Sequence, residues 1–261
     1  MTAPIKVLHV LSGGTIGGAE SHVVSLLRGL SDTGNYELHL AYFTEKPDSA
    51  RSLKPDVQQL GIQTHDLKAT AKLDPMGFIR LARLIQQQRF DIVHSHSIRS
   101  LIGTAVLIGL LRYPGALVTS VHSEDPLLEY PVISSIVSLA GRWVNSVIAI
   151  SNIVRQHIIR HTRISPEKIH KIYYGLDPQP AKESGDQDPI NLRQEYGLST
   201  DTRLIVVVAR LGIEKGHRYA IEAMPGILKR VPKVKLLIVG HEDSISEADL
   251  AEIAAANDVG K

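Results

Sequence analysis

Short runs rich in β-branched residues, each followed by a stretch with helical apolar spacing, recur along this chain: "IKVLHVL", "YELHLAYF", "DIVHSH", "ALVTSVH", "SVIAIS" and "IHKIYY", the last ending at Tyr174. Strand and helix in alternation call for crossovers between parallel neighbours, and a parallel sheet needs helices on both faces to cover it. Such strands are apolar throughout, and ligands gather at their carboxyl ends where the strand order reverses. The expected class is therefore α/β, with a complete Rossmann-like amino-terminal domain.

From Gly175 to Pro189 the sequence "GLDPQPAKESGDQDP" is crowded with proline, glycine and acid, and reads as an interdomain connection. The expected organisation is a first domain over 1–174, a linker over 175–190 and a second domain over 191–261. That second stretch contains a strand "RLIVVVAR", a helix from about Lys215 to Arg230, a strand "VKLLIVG" and a helix from about Ser246 to Asn257. Two strands and their helices cannot close a doubly wound sheet, so it reads as the incomplete start of a second Rossmann-like domain, a carboxyl-terminal truncation.

Composition excludes several classes. A net charge of +2 over 261 residues is too mild for an extended nucleic-acid footprint. The absence of cysteine rules out disulfides, thiolate metal sites and a cysteine nucleophile, and fits a cytoplasmic location. The opening "MTAPIKVLHVLSGG" reads as a buried strand and not as a secretory leader. The longest apolar run, Leu101 to Leu111, is far short of the roughly 20 residues that a spanning helix needs.

Within "VLHVLSGGTIGGAES" the first strand breaks into glycines just before Ala19, Val23, Leu27 and Leu30 take up helical spacing. Gly14, Gly17 and Gly18 thus sit at a strand-to-helix turn, where exposed amides and the helix dipole favour an anion and bare backbone lets it approach; a merely tight turn is the plain alternative. A P-loop is excluded because Ala19 and Glu20 stand where its lysine and hydroxyl belong, and the spacing of the glycines also fails the dinucleotide fingerprint.

His94 and His96 in "DIVHSHS" and His122 in "VTSVH" fall at strand ends. For His94 the expected role is a satisfied core histidine, for His122 a functional one. A His-x-His pair without a third ligand at motif spacing does not make a metal site, and Asp186 and Asp188 lie in the linker, so no metal is assigned. Arg210 ends the strand of "VVVARLGIEKGH" and Lys215 stands at the entrance to the next helix. A planar fork and a mobile point charge together suit a diphosphate, against the alternative of two solvated cations.

Taken together, "GGTIGGAES", "FDIVHSHS", "VTSVH", "VIAIS", "KIYYGLDP" and above all "ARLGIEKGH" resemble glycosyltransferase family 4, retaining enzymes of the GT-B type, over essentially the whole chain. The resemblance implies transfer of a sugar from a nucleotide-diphosphate sugar to a glycan or lipid-linked acceptor in cell-envelope or polysaccharide synthesis, with retention and without metal or other cofactor. It implies that His122 contacts the donor sugar, that Arg210 and Lys215 hold the diphosphate, that Gly14, Gly17 and Gly18 approach it, and that Glu20 and His96 border the acceptor or cleft. Tyr174 stands where many members carry asparagine, and the glutamate-rich donor motif of the family is not reached. Two other readings remain: a non-catalytic fragment or binding module that needs a partner, and an NAD-dependent oxidoreductase, for which only Glu45 offers a ribose-binding acid. Arg155, Arg160, Arg163, Lys168 and Lys171, with Ile153, His157 and Ile158 on an opposing helical face, suggest peripheral attachment to an anionic membrane surface or, more plainly, a solvated helix face.

Overall fold

The computed structural model describes residues 3–13, 17–43, 52–69, 74–175 and 192–259. The chain divides into two compact units, residues 1–180 and 181–261. Gly14, Glu45, Asp186, Asp188 and nearly all of the expected linker lie outside the described residues.

The first unit carries a seven-stranded, wholly parallel sheet in the order β3-β2-β1-β4-β5-β6-β7. Its strands are β1 (Ile5–Leu11), β2 (Tyr36–Tyr42), β3 (Gln63–Asp66), β4 (Ile92–Ser95), β5 (Ala116–Val121), β6 (Ser146–Ala149) and β7 (Ile169–Lys171). The helices are α1 (Gly18–Ser31), α2 (Lys54–Gln59), α3 (Pro75–Gln88), α4 (Ile98–Leu111), α5 (Pro131–Ala140) and α6 (Asn152–His161). The sequence reading did not include β3 or α2. The strand "QTHD" holds no β-branched run and no buried residue, so only its pairing with β2 makes it a strand.

Local chemistry starts and stops the helices. Asp74, Ser97 and Ser151 accept from the backbone N–H of Met76, Ser100 and Val154, satisfying amides that the first turns of α3, α4 and α6 leave unpaired. Arg89 and Arg112 end α3 and α4 in the left-handed region, at φ of 51° and 46°.

Handedness distributes the helices. Crossovers from β1 to β3 run one way along the sheet and those from β4 to β7 the other, so right-handed connections place α1 and α2 on one face and α4 to α6 on the opposite one. Two apolar cores result. Val23, Leu27 and Val57 pack on Val7, Leu38 and Leu40 on the first face. Leu81, Leu101, Ala105, Val137 and Ile158 pack on Leu8, Val93, Leu117 and Val147 on the second. Beside α1 on the first face a groove of about 700 Å³ runs past Val7, Ile92, Val118, Ile148 and Ile172.

The second unit contains α7 (Leu192–Glu195), β8 (Arg203–Val208), α8 (His217–Arg230), β9 (Val234–Val239) and α9 (Glu247–Ala256), with a 3-10 turn at Ile213–Lys215. β8 and β9 pair in parallel, and Leu211, Ile221 and Leu250 form its small core. Glycine is required at Gly240, where a Cβ would stand 1.8 Å from the carbonyl oxygen of Ala209.

Candidate active site

β1 and β4 are neighbours, and the chain's progress across the sheet reverses between them. At such a switch point the loops leaving the two strands diverge to opposite faces and leave a crevice at the carboxyl ends. The loop after β1 leads through Ser12 to Gly17 and the start of α1; the loop after β4 carries His96 and Ser97 into α4. Ser12 Oγ and Ser97 Oγ are 2.7 Å apart and tie the two loops together.

Beneath the crevice lies a buried polar layer. His9 stands opposite His94 in the β1–β4 register. His9 Nδ1 lies 2.9 Å from His96 Nε2, His94 Nε2 lies 2.8 Å from Ser120 Oγ, and Ser95 Oγ donates to Thr119 Oγ1 at 2.9 Å. Burial pushes the His9 imidazole down to about 4, and holds His94 and His96 well below the ordinary histidine range, with neighbouring imidazoles adding to the effect. All three rings are neutral at physiological pH. His94 is thus a bonded core residue. His96 is only 2% exposed, so it lies in the interior and not on an open wall of the cleft, because its ring is drawn under the loop against His9.

The sequence offered two histidines here; the fold supplies a third, and one nitrogen from each of His9, His94 and His96 lies within 4.8 Å of the others. Neutral imidazoles are what a transition metal requires. Ligating histidines nevertheless use their second nitrogen to grip a carboxylate or carbonyl, whereas His9 Nε2 and His96 Nδ1 have no partner among the described residues, and no carboxylate joins the group. The set fits a buried hydrogen-bonded layer better than a cation centre.

His122 follows β5 directly, and its ring stacks beside His96 at 5.7 Å and meets His22 of α1 edge-on at 5.8 Å. Its Nδ1 is hydrogen-bonded to the Tyr174 hydroxyl, while its Nε2 is buried and has no partner among the described residues. Tyr174 in turn stacks on His22 at 3.8 Å. Burial, then the field of His22, lowers the His122 pKa to about 4; burial, then the Glu20 carboxylate, pushes the Tyr174 phenol up to about 12. Both are therefore uncharged at neutral pH, and a phenol that keeps its proton can donate it to Nδ1, which leaves the His122 proton on Nε2. Sequence reasoning missed His9, His22 and the role of Tyr174. The histidine in "VLHVL" and the one in the first turns of α1 are isolated along the chain, and only the sheet order brings them together.

At the start of α1, Glu20 Oε2 accepts from the Gly17 N–H at 3.1 Å. Glu20 is thereby placed as a cap on its own helix. A Cβ on Gly17 would meet that carboxylate at 2.8 Å, whereas one on Gly18 would meet nothing within 4 Å among the described residues. Among the described residues neither packing nor a positive φ demands glycine at position 18.

In the second unit the Arg210 fork is occupied: Nη1 donates to Asp243 Oδ2 at 2.6 Å and Nη2 to Glu214 Oε1 at 2.9 Å. Lys215 Nζ lies 4.0 Å from the same Glu214 carboxylate. The Arg210 carbonyl accepts from His217 Nε2 at 2.7 Å, which fixes the backbone at the end of β8. The two cations are thus neighbours through a shared acid, half exposed and open to exchange, since exposed pairs of this kind are weak.

A family model described as Glycosyltransferase Family 4 matches residues 16–180, and one described as Glycosyl transferases group 1 matches residues 188–259. An uncharacterized glycosyltransferase of Methanocaldococcus jannaschii is 28% identical over 163 residues, 59% of this chain and 41% of that protein. The phosphatidylinositol N-acetylglucosaminyltransferase gpi3 subunit of Schizosaccharomyces pombe is 25% identical over 245 residues, 91% of this chain and 50% of that protein. The chain spans about half the length of the curated relatives it matches. Among solved structures, Anabaena HepE in complex with UDP and glucose superposes with a TM-score of 0.74 at 19% identity, covering 98% of this chain and 67% of that one.

Proposed function

This chain belongs to glycosyltransferase family 4, and from that membership we propose that it takes part in moving a sugar from a nucleotide-diphosphate sugar to a glycan or lipid-linked acceptor. The observation that carries the reading is His122: an imidazole at the carboxyl end of β5 beside His96, with one nitrogen held by Tyr174 and the other buried without a partner among the described residues. A buried donor left unsatisfied costs about 1–3 kcal/mol, a cost that a hydroxyl of the donor sugar would offset.

In this reading the bond from the anomeric carbon to the diphosphate breaks as the acceptor hydroxyl oxygen bonds to that carbon on the same face, with retention of configuration, and the hydroxyl proton passes to the departing diphosphate oxygen. Charge develops on the departing diphosphate. Arg210 and Lys215 are the second unit's residues suited to meet it, and the amides at the start of α1 are the first unit's own anion-binding element. The cations serve without a metal ion, and His122 contacts the donor sugar. HepE, the structural neighbour, holds UDP and glucose, which supports a nucleotide-sugar donor. The name of the S. pombe relative, a phosphatidylinositol N-acetylglucosaminyltransferase subunit, supports a lipid acceptor.

Titration calorimetry of this chain with UDP-, GDP- and dTDP-sugars tests the donor. One nucleotide series should bind, and His122→Ala should weaken the nucleotide sugar by about tenfold while leaving the free nucleoside diphosphate unchanged. Equal loss for both, or no binding by any series, would overturn the assignment.

A further inference from the structure

The expected basic patch is not arranged as the sequence suggests. Arg155 Nε donates to the Ile169 carbonyl, and Lys168 Nζ donates to the Gly141 and Val144 carbonyls, so two of its five cations hold the fold together. Ile153 is 62% exposed and lies away from the buried His157 and Ile158. What the fold presents instead is a groove of about 790 Å³ between α5 and the end of α6, rimmed by Arg142, Arg160 and Arg163. All three are exposed, and none forms an ion pair among the described residues.

Beside this groove α5 turns an apolar stripe outward. Val132, Ile136 and Leu139 are 70, 38 and 49% exposed, at spacings that place them on one side of the helix, and Trp143, just past its end, is 38% exposed. Trp143 is seated on α4, where a Cβ on Gly109 would stand 2.4 Å from its ring, and beyond it α4 exposes Val106 and Leu110. From Tyr130 to Lys171 the chain carries six arginines and lysines against one acid, Glu167. An apolar stripe with a tryptophan at its edge, flanked by unpaired guanidinium groups, matches the layering of an anionic bilayer surface: acyl chains below, phosphates at the level of the rim.

We propose that the face formed by α5, Trp143 and the exposed side of α4 docks on an anionic lipid bilayer, with Arg142, Arg160 and Arg163 at the headgroup phosphates. The surface would bring the chain to a lipid-linked acceptor, and in purpose it rests on that proposed acceptor. Its measurement does not, because vesicle binding needs neither donor nor turnover.

Trp143 is the chain's single tryptophan, so its fluorescence reports this face alone. With vesicles of phosphatidylcholine and phosphatidylglycerol at 3:1, its emission should shift to the blue, its quenching by acrylamide should fall and the protein should co-sediment. Pure phosphatidylcholine vesicles should give little of this, and 0.5 M NaCl should reverse it. A cation near an anionic surface contributes about fivefold in partition, so R142Q/R160Q/R163Q should lower binding on the order of a hundredfold. V132S/L139S, at exposed sites outside the core, should lower it by about tenfold while circular dichroism stays unchanged. Co-sedimentation insensitive to both variants would overturn the proposal. So would absence of vesicle binding together with a dimer in solution that L139S converts to monomer, which would make the face a contact between copies.

Discussion

Arg210 offers the sharpest test of the donor site, because its surroundings set both the cost of removing it and the effect of releasing it. The guanidinium is 48% exposed and holds Asp243 at 2.6 Å and Glu214 at 2.9 Å. Exposed pairs contribute about 0.2–1 kcal/mol each, so Arg210→Ala should cost the second unit about 1 kcal/mol in stability. Hydrogen bonds from a cation to a diphosphate are worth about 1.5–3 kcal/mol, so the same change should weaken nucleoside diphosphate binding by roughly ten- to 150-fold. The opposite perturbation follows from the same geometry. A diphosphate must displace Asp243 from one arm of the fork, so Asp243→Asn removes a competitor and should tighten binding by about two- to fivefold. Calorimetric titration of UDP and GDP into both single variants and the double variant closes the cycle, with thermal melts as the check on folding. In the double variant the gain from Asp243→Asn should vanish, since there is no fork left to release. Affinity unchanged in a well-folded Arg210→Ala, or a gain that persists in the double variant, refutes the assignment.

The histidine layer predicts loss of stability in mild acid. Burial holds the His9 pKa at about 4 in the folded state against an ordinary 6.5, so between these values the unfolded chain binds more protons. Stability should be complete above about pH 6.5 and fall toward pH 4, by about 3 kcal/mol from His9 alone; a melting temperature that stays flat from pH 7 to 5 would contradict this. Tyr174→Phe removes only the hydroxyl that holds His122 Nδ1, and should lower nucleotide-sugar affinity by about five- to tenfold, with a change in the His122 tautomer seen in ¹⁵N NMR shifts; an unchanged tautomer counts against the positioning role. Gly240→Ala drives a methyl group to 1.8 Å from the Ala209 carbonyl oxygen and should cost the second unit about 3 kcal/mol, measured by urea denaturation, whereas Gly18→Ala should leave stability within about 0.5 kcal/mol and act on ligand binding alone. Chelation with EDTA should leave nucleotide-sugar binding unaltered, since the diphosphate is assigned to side chains; a loss restored by a divalent ion would replace that assignment.

The alternation of β-branched runs with helical spacing was enough to specify a parallel α/β fold, because both periodicities are written in residues adjacent along the chain. Strands β1, β2, β5 and β8 lie within a residue or two of their sequence limits, and Gly17 and Gly18 fall at the start of α1 as their neighbours require. β3 escaped, since its four residues carry no period and depend on β2 for their pairing. Tertiary structure alone decided the site's wiring: that β1 lies beside β4 and so places His9 against His94 and His96, that Tyr174 reaches His122 across 52 residues, and that Asp243 and Glu214 already occupy the fork of Arg210. Such contacts depend on strand order and loop reach, which couple positions far apart in the chain. A local pattern carries no record of them.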